Sequence, residues 1–265
     1  MKKESIIIKI GGKASSDRSS LENLLGEVSR LAERHRLILV HGGGAEVSRI
    51  TELFGLKPVF RDGIRMTSPA EMEIVDMVLA GKVNKYLVRV LNRYCNAVGL
   101  SGSDGRVFEG ESLRDDENPE THTGRVTSVN ISFLNLLMDA GFLPVLASTS
   151  MDSTGMPLNI NADEVAFAVA MALPASVLLF LSDIPGIIRQ GVTLKVVNKL
   201  DDIERYIDEK TITGGMIPKV KSSLDALNRG VDKVIIGQYS HPGDLEKLLS
   251  GQRGTIIRRE AENEN

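Results

Sequence analysis

The chain has 265 residues, of which 42% are hydrophobic and 25% are charged, and this composition excludes a disordered or a fibrous protein. Its formal net charge of -3 gives no general attraction to nucleic acid or to an anionic membrane, so we expect neither as a partner. The single cysteine, Cys95, excludes an internal disulfide and a cysteine-rich zinc site, and it fits a reducing compartment. Because the sequence also lacks an apolar run of about 20 residues and a secretory signal pattern, we expect a cytoplasmic protein.

The first part of the chain alternates short apolar runs with helical patterns. Residues 5–10, SIIIKI, form a β-branched run that ends in glycines, which predicts a buried strand. Residues 19–34 carry leucines at helical spacing, and residues 37–40 form the next apolar run. Strands and helices that alternate with short joints predict an α/β fold, a three-layer αβα sandwich around a mainly parallel central sheet.

A long helical pattern follows in residues 69–94, from Pro69 to about Tyr94, with a Ser-Pro start. Its apolar positions are too many for one core-facing stripe, so we interpret the surplus as a subunit interface. Residues 106–130 lack a helical period and mix turn signals with short alternations, which predicts a β-hairpin. Residues 151–173 predict a turn followed by a helix with two carboxylates at its start.

The strand–helix pattern restarts in the second part of the chain, at the sequence ASVLLFLSDIPGII. This restart predicts a boundary near Pro174, which divides residues 1–174 from residues 175–259. The segments KVIIGQ and GTIIRRE predict the last two strands, and residues 260–265 are expected to be a disordered tail.

Two glycine clusters, in IIIKIGGK and in LILVHGGGAEVS, follow predicted strands and precede helices. Neither has the spacing of a P-loop or of a dinucleotide fingerprint. An HGGG turn also forms the oxyanion hole of some esterases, but these need a G-x-S-x-G elbow. The nearest segment, GLSGS, ends in serine, which argues against a serine hydrolase.

Glycines after a buried strand let backbone N–H groups converge, and a following helix adds partial positive charge. Two such turns on neighbouring strands would form an anion-binding mouth at the carboxyl edge of the sheet, and Lys9 would project into it. The alternative is that the glycines only make tight joints and that Lys9 reaches solvent.

Seven segments extend the pattern in chain order: KIGGK, VHGGG, VFRDGIRMT, MEIVDMVLAGKVNK, NINADEVA, LSDIPGI and GGMIPKV. Together they resemble the amino-acid kinase superfamily, most closely its N-acetylglutamate kinase family, over nearly the whole chain. The resemblance implies ATP-dependent phosphorylation of the side-chain carboxylate of N-acetyl-L-glutamate, the second step of arginine synthesis. Because the acceptor carboxylate is already ionised at neutral pH, this reaction needs no general base.

The resemblance implies roles for particular residues. Lys9 and Lys219 would stabilise the transition state, and Asp163 would hold both lysines in place. Backbone N–H groups would come from Gly12 and Gly44. An acceptor site is implied at Gly43, Gly44, Arg65 and Asn159, where Arg65 would clamp the α-carboxylate; without the motif, Arg65 is an ordinary surface residue and Asn159 a turn residue. A nucleotide site is implied at Gly11, Ser182, Asp183, Gly186, Thr213, Gly214, Gly215, Met216 and Lys219.

The same resemblance implies an acceptor and dimerisation lobe in residues 1–174 and an ATP-binding lobe in residues 175–259. Mg²⁺ would arrive on the oxygens of ATP rather than on protein ligands. A homodimer through the 69–94 helix is implied. Arginine-regulated members carry an additional helix before the first strand, whereas here the strand starts almost at once, so we expect weak inhibition by arginine.

Two alternatives stay open from the sequence. The segment STSMDSTG departs from the family pattern near the acceptor pocket, and HTGRV is similar to the kinase that acts on carrier-protein-bound aminoadipate or glutamate in lysine synthesis. A regulatory module on the same fold, which binds nucleotide or amino acid without turnover, is the second alternative.

Overall fold

A computed structural model of the chain describes residues 4–11, 17–61, 63–173, 176–198, 205–206, 208–209, 212 and 216–258. Eight described strands form the central sheet: β1 (Ser5–Ile10), β2 (Arg36–His41), β5 (Ala97–Leu100), β8 (Leu143–Ala147), β11 (Ser176–Leu181), β14 (Val196–Val197), β15 (Lys233–Gly237) and β16 (Thr255–Arg258). Their order is β14-β16-β15-β11-β1-β2-β8-β5, and every neighbouring pair is parallel except β15 with β16. The predicted, mainly parallel sheet is therefore confirmed.

Helices cover both faces of this sheet. The described helices are α1 (Arg18–Arg34), α2 (Gly44–Leu53), α3 (Pro69–Asp76), α4 (Asn84–Leu91), α5 (Ile131–Asp139), α6 (Ala162–Ala172), α7 (Met216–Asn228) and α8 (Asp244–Leu249). Successive side chains of a strand point to opposite faces. Accordingly, Ile7 of β1 packs in one core with residues of α5, α6 and α7, whereas Ile6 and Ile8 pack in a second core with residues of α1, α4 and α8. This arrangement is the expected three-layer αβα sandwich.

Smaller sheets lie beside the central one. A four-stranded sheet has the order β6-β7-β10-β9, with strands β6 (Phe108–Ser112), β7 (Thr123–Val129), β9 (Thr149–Met151) and β10 (Pro157–Ile160). The antiparallel pair β6–β7 is the hairpin predicted for residues 106–130. The prediction of only a turn after residue 151 was wrong, because β9 and β10 form a second antiparallel hairpin around a short turn. Two further antiparallel pairs have strands of two residues each: β3 (Phe60–Arg61) pairs with β4 (Ile64–Arg65), and β12 (Ile188–Arg189) pairs with β13 (Val192–Thr193).

The long helix predicted for residues 69–94 is helical from Pro69 to Leu91 but not regular. Ser68 and Glu71 form a capping box at its start, which satisfies two backbone N–H groups. Between α3 and α4 lies a π-helical segment, Met77–Val83, which the sequence pattern did not reveal. Much of the apolar surplus is buried within this chain, since residues of α3 and the π-helical segment pack against α2 and residues of α4 pack against α1.

The central sheet crosses the boundary that was predicted near Pro174. Strand β11, which follows this boundary, pairs with β1 along its whole length. Pro174 itself and the predicted tail at 260–265 lie outside the described residues. None of the described helices is long and apolar enough to cross a membrane.

Candidate active site

Two lysines from distant parts of the chain meet at one carboxylate. Lys9 lies near the end of β1, Asp163 lies in the first turn of α6, and Lys219 lies on α7. The Nζ atom of Lys9 is 2.9 Å from Oδ1 of Asp163, and the Nζ atom of Lys219 is 3.2 Å from Oδ2. All three side chains are mostly buried but keep 13% to 25% of their surface exposed, so a ligand can reach them. The structure therefore brings the three residues together as the resemblance implied.

The three charged groups carry a net charge of +1. Burial raises the pKa of Asp163, but the ammonium groups of Lys9 and Lys219 outweigh this effect and hold that pKa below its usual value of 3.8. Asp163 is therefore a carboxylate at neutral pH. The remaining positive charge attracts an anion to this position.

Glycine turns surround this cluster at the carboxyl edge of the sheet. Ile10 is in register with His41 on one neighbouring strand and with Leu181 on the other, so the turns after β1, β2 and β11 begin side by side. A Cβ atom on Gly11 would overlap the ammonium group of Lys9, and one on Gly42 would lie 3.3 Å from the Cβ atom of Ala162, beside Asp163. The absence of side chains at these glycines allows the backbone to approach the cluster closely.

The HGGG turn leads directly into α2. Gly43 is the N-cap residue of this helix and Gly44 is its first residue. A Cβ atom on Gly43 would lie 2.8 Å from Cδ2 of Leu79 in the π-helical segment, whereas a Cβ atom on Gly44 would have no neighbour within 4 Å. Gly43 is therefore packed against the protein, and Gly44 faces open space. The first N–H groups of a helix lack partners within it and suit an anion.

Arg65 lies on β4 and is almost completely buried, not on the surface. Its Nη2 atom donates to the Gly44 carbonyl at 3.2 Å and to Oγ of Ser48 at 2.6 Å, and its guanidinium stacks on the ring of Phe60, its cross-strand partner. Among the described residues, Nη1 has no hydrogen-bond partner, and the nearest carboxylate, of Glu71, is 3.7 Å away. A buried donor without a partner is costly, so Nη1 suits a carboxylate ligand.

Asn159 joins the Arg65 region through a threonine pair. Its Nδ2 atom donates to Oγ1 of Thr67 at 2.8 Å. Oγ1 of Thr123 accepts from the N–H group of Thr67 and donates to the Arg65 carbonyl, so the two predicted acceptor residues share one network. Sequence reasoning assigned no role to Thr67 or Thr123 and did not find the contacts of Arg65 with Ser48, Phe60 and Glu71. The available signals were the positions of Phe60 and Thr67 in the VFRDGIRMT motif and of Thr123 in HTGRV.

The predicted nucleotide residues lie in two places, after β11 and at the start of α7. The N–H group of Ser182 donates to the Gly237 carbonyl at 2.8 Å, and Asp183 follows it directly. Gly186 has a φ angle of 145°, and a Cβ atom there would lie 2.6 Å from Oγ1 of Thr255, so a glycine is required. Met216 is the first residue of α7, three positions before Lys219. Four further predicted site residues lie outside the described residues: Gly12, Thr213, Gly214 and Gly215.

The described residues include no group of three or more His, Cys, Asp or Glu side chains placed to hold a metal ion. A cleft of about 380 Å³ opens beside Thr67 and Glu71, and a second one of about 300 Å³ lies between α1 and α8. Neither cleft is lined by the lysines of the cluster.

Comparison with known proteins decides the family. The family model described as "Amino acid kinase family" matches residues 4–238. The chain belongs to the amino acid kinase family. It is 36% identical to the acetylglutamate kinase of Methylobacterium nodulans over 97% of this chain and 89% of that protein. It is 38% identical to the acetylglutamate kinase of Geobacillus sp. (strain WCH70), over 97% and 98% of the two chains.

Solved structures of other proteins share the fold. The protein smu.665 from Streptococcus mutans UA159 is 29% identical, with a TM-score of 0.79 over 96% of this chain and 98% of that one. N-acetylglutamate synthase from Neisseria gonorrhoeae gives a TM-score of 0.85 at 22% identity, over 98% of this chain and 61% of that one. Carbamate kinase from Giardia lamblia gives a TM-score of 0.71 at 16% identity, over 97% of this chain and 99% of that one. The last two likenesses support the fold alone.

Proposed function

We propose that this chain catalyses the ATP-dependent phosphorylation of the side-chain carboxylate of N-acetyl-L-glutamate, which forms an acyl phosphate. The observation that carries this proposal is the meeting of Lys9 and Lys219 at Asp163, beside a turn of glycines at the carboxyl edge of the sheet. Near full-length relatives that are 36% to 39% identical are acetylglutamate kinases, which supports the choice of acceptor.

The lysine cluster suits phosphoryl transfer to a carboxylate. An oxygen of the acceptor carboxylate attacks the γ-phosphorus of MgATP, the bond from phosphorus to the bridging oxygen breaks, and ADP leaves with that electron pair. The phosphoryl oxygens carry the charge in the transition state, and the ammonium groups of Lys9 and Lys219 stabilise it there. Asp163 stays ionised and orients both ammonium groups. No proton has to be removed from the acceptor.

The acceptor binds on the side of Arg65 and the HGGG turn. Nη1 of Arg65 donates a hydrogen bond to the α-carboxylate, while the Gly44 carbonyl and Oγ of Ser48 hold Nη2 in position. Asn159 contacts the acyl-amino group, and the N–H groups of Gly43 and Gly44 face the acceptor and the transferred group. These contacts orient the side-chain carboxylate toward the lysines.

The nucleotide binds in the lobe of residues 175–259, against the turn after β11 and the start of α7. Ser182, Asp183, Gly186 and Met216 contact it there, and Lys219 reaches from α7 to its γ-phosphate. Mg²⁺ comes with ATP as part of the substrate. We further propose that residues 1–174 form the acceptor lobe, that the chain acts in the cytoplasm, and that it forms a homodimer through the helix of residues 69–94, where Met77 remains exposed.

A coupled assay that traps acyl phosphates as hydroxamates tests this function. We expect N-acetylglutamate to be phosphorylated faster than glutamate, aspartate or carrier-bound aminoadipate. The variant K219M removes one ammonium group, and K221M is its matched control because Lys221 is exposed on the same helix. We expect only K219M to lose activity. Preference for carrier-bound aminoadipate would favour the lysine pathway, and ATP binding without any transfer would favour a regulatory module.

A further inference from the structure

A chain of hydrogen bonds begins at the exposed Lys85, continues through buried residues and ends at the HGGG turn, next to the candidate acceptor site. Nζ of Lys85 donates to Oδ1 of Asn84 at 3.1 Å. Nδ2 of Asn84 lies 2.9 Å from the Val145 carbonyl and 3.0 Å from Nε2 of His41, and Nδ1 of His41 lies 2.9 Å from the Gly42 carbonyl. Asn84 and His41 are 0% and 2% exposed.

Chemistry allows only one direction for each of these hydrogen bonds. An ammonium group only donates and a carbonyl only accepts, so Asn84 must direct Oδ1 to Lys85 and Nδ2 to Val145. The second hydrogen on Nδ2 then points to Nε2 of His41, which must accept. Nδ1 of His41 therefore carries the proton and donates it to the Gly42 carbonyl. The chain of contacts holds His41 neutral in a single tautomer.

The environment of the ring agrees with this assignment. Burial lowers the pKa of His41 to about 4. The hydrogen bond to the Gly42 carbonyl raises this pKa and the positive charge of Lys85 lowers it, but burial is the largest effect. A buried histidine that stays neutral can hold a fixed pattern of donation and acceptance throughout the physiological pH range.

The bond to the Gly42 carbonyl sets the direction of the next N–H group. The described residues contain no cis peptide, so the peptide between Gly42 and Gly43 is trans. In a trans peptide the C=O and N–H bonds point in opposite directions. Because the Gly42 carbonyl points to His41, the Gly43 N–H group points away from the imidazole ring. No described residue accepts a hydrogen bond from this N–H group.

The π-helical segment Met77–Val83 supports both ends of this arrangement. Asn84 is the first residue after the segment, so the wider turns decide which way its side chain points. Leu79 and Val83 of the same segment lie against Gly43, where a Cβ atom would be 2.8 Å and 3.3 Å from them. Short π-helical stretches occur frequently at functional sites, and here one packs on the glycine turn while placing Asn84.

We propose that His41, held by Asn84, is a positioning residue that fixes the Gly42–Gly43 peptide and thereby aims the Gly43 N–H group at the acceptor and the transferred phosphoryl group. This inference rests on the proposed function. It assigns to His41 an action through the backbone, without contact between the imidazole and the substrate.

Two substitutions of His41 separate its two contacts. An asparagine amide occupies the place of Nδ1, so H41N keeps a donor for the Gly42 carbonyl and loses the contact with Asn84. A glutamine amide reaches the place of Nε2, so H41Q keeps the contact with Asn84 and loses the one with Gly42. Each variant loses one buried hydrogen bond, and we expect similar melting temperatures for the two proteins.

The measurement is kcat and KM for N-acetylglutamate and for ATP. We expect the kcat of H41Q to fall at least about tenfold below that of H41N, since a misdirected donor loses part of its transition-state stabilisation. The KM for ATP should be the same in both variants. Equal kcat values in the two variants, or a lower kcat in H41N, would overturn the inference while leaving the kinase activity of the unsubstituted chain in place. No kinase activity in the unsubstituted chain would instead overturn the proposed function.

The tautomer of His41 is a second readout, independent of whether the variants fold. The chain has four histidines, so their ring nitrogens can be assigned by ¹⁵N NMR. We expect the His41 signals of the unsubstituted protein to show a neutral ring with the proton on Nδ1 from pH 6 to pH 8. A proton on Nε2, or a charged ring, would contradict the inference.

Discussion

The guanidinium group of Arg65 faces the carboxylate of Glu71 across 3.7 Å, and less than a tenth of either side chain is exposed. Burial lowers the pKa of Arg65, and the negative charge of Glu71 offsets only part of this effect. At this distance the two groups attract each other without a hydrogen bond, and Nη1 keeps an unused donor. Glu71 therefore balances the charge of Arg65 while leaving room for a ligand carboxylate.

The first prediction concerns the variant E71Q. Glutamine preserves the capping box with Ser68, so the substitution removes the charge and leaves the helix start intact. We expect the free energy of unfolding without ligand to fall by about 3 kcal/mol, because the buried charge of Arg65 loses its partner. N-acetylglutamate should then stabilise E71Q more than it stabilises the unsubstituted protein, since its α-carboxylate supplies the missing negative charge.

Chemical denaturation with and without N-acetylglutamate measures both effects of E71Q. E73Q is the matched control, since Glu73 is exposed on the same helix and its substitution should change neither quantity. A stabilisation by N-acetylglutamate that is smaller in E71Q than in the unsubstituted protein would contradict the prediction.

A second prediction concerns the two lysines as a pair. We expect K9M and K219M each to lower kcat by about 10²- to 10³-fold, the usual loss for one preorganised donor. The double variant should lose less than the product of the two single losses, because both ammonium groups are proposed to act on the same transferred group. Single-turnover measurements of acyl phosphate formation test this. Independent, multiplicative losses would show that the lysines act on different steps.

The contrast between Lys9 and Lys219 shows how much of the candidate site the sequence could reveal. The run of isoleucines in β1 predicts a buried strand with the bounds that the structure has, and a lysine within such a run has to leave the core at the glycine turn. That Lys219 reaches the same place does not follow from periodicity, since it depends on the packing of α7 against α6. Only the resemblance to a kinase family placed the two lysines together.

The π-helical segment and the strands β9 and β10 could not be predicted from the sequence pattern. The apolar pattern of residues 69–94 fits a regular α-helix, and the extra residue in the turns of the π-helical segment is selected by tertiary contacts, such as that of Asn84 with His41. The short strands β9 and β10 were missed because the turn residues from Asp152 to Gly155 dominate a segment whose strands have three and four residues. Local sequence preference is weak against such contacts.

A third prediction uses the depressed pKa of Asp163. A carboxyl group whose folded-state pKa lies below its unfolded value stabilises the protein above the unfolded value, and this contribution is lost as the pH falls through the folded-state pKa. The stability that Asp163 supplies should therefore be constant near neutral pH and disappear progressively below its usual pKa of 3.8.

The variant D163N isolates this contribution, because asparagine has nearly the same shape and does not titrate. At pH 7 we expect D163N to be less stable by about 3 kcal/mol, since two ammonium groups lose their shared counterion. Urea denaturation between pH 7 and pH 3 should show the difference between the two proteins shrinking only at the acidic end. A difference that stays constant down to pH 3 would mean that the lysine neighbours do not lower the pKa of Asp163 in the folded protein.

The last prediction separates the two glycines of the HGGG turn, whose roles differ by what surrounds them. Gly43 has an extended φ of 167°, so any residue can adopt its backbone, and only space limits a substitution. A methyl group on Gly43 would meet Leu79 and Val83, whereas one on Gly44 would meet nothing. We therefore expect G43A to lower the free energy of unfolding by about 1–3 kcal/mol through overpacking, and G44A to leave it unchanged or slightly raised.

In G44A we expect the activity to fall while the stability is kept. Its new methyl group enters the space where the acceptor is proposed to bind, so kcat/KM for N-acetylglutamate should fall although the protein is fully stable. In G43A the additional substitution L79A makes room for the methyl group. The double variant should therefore lose less free energy of unfolding than the sum of the two single losses, and a double-mutant cycle measures this difference. If L79A and G43A destabilise additively, the π-helical segment does not hold the turn. In that case the packing of Leu79 on Gly43 cannot be what places the HGGG backbone beside the lysines.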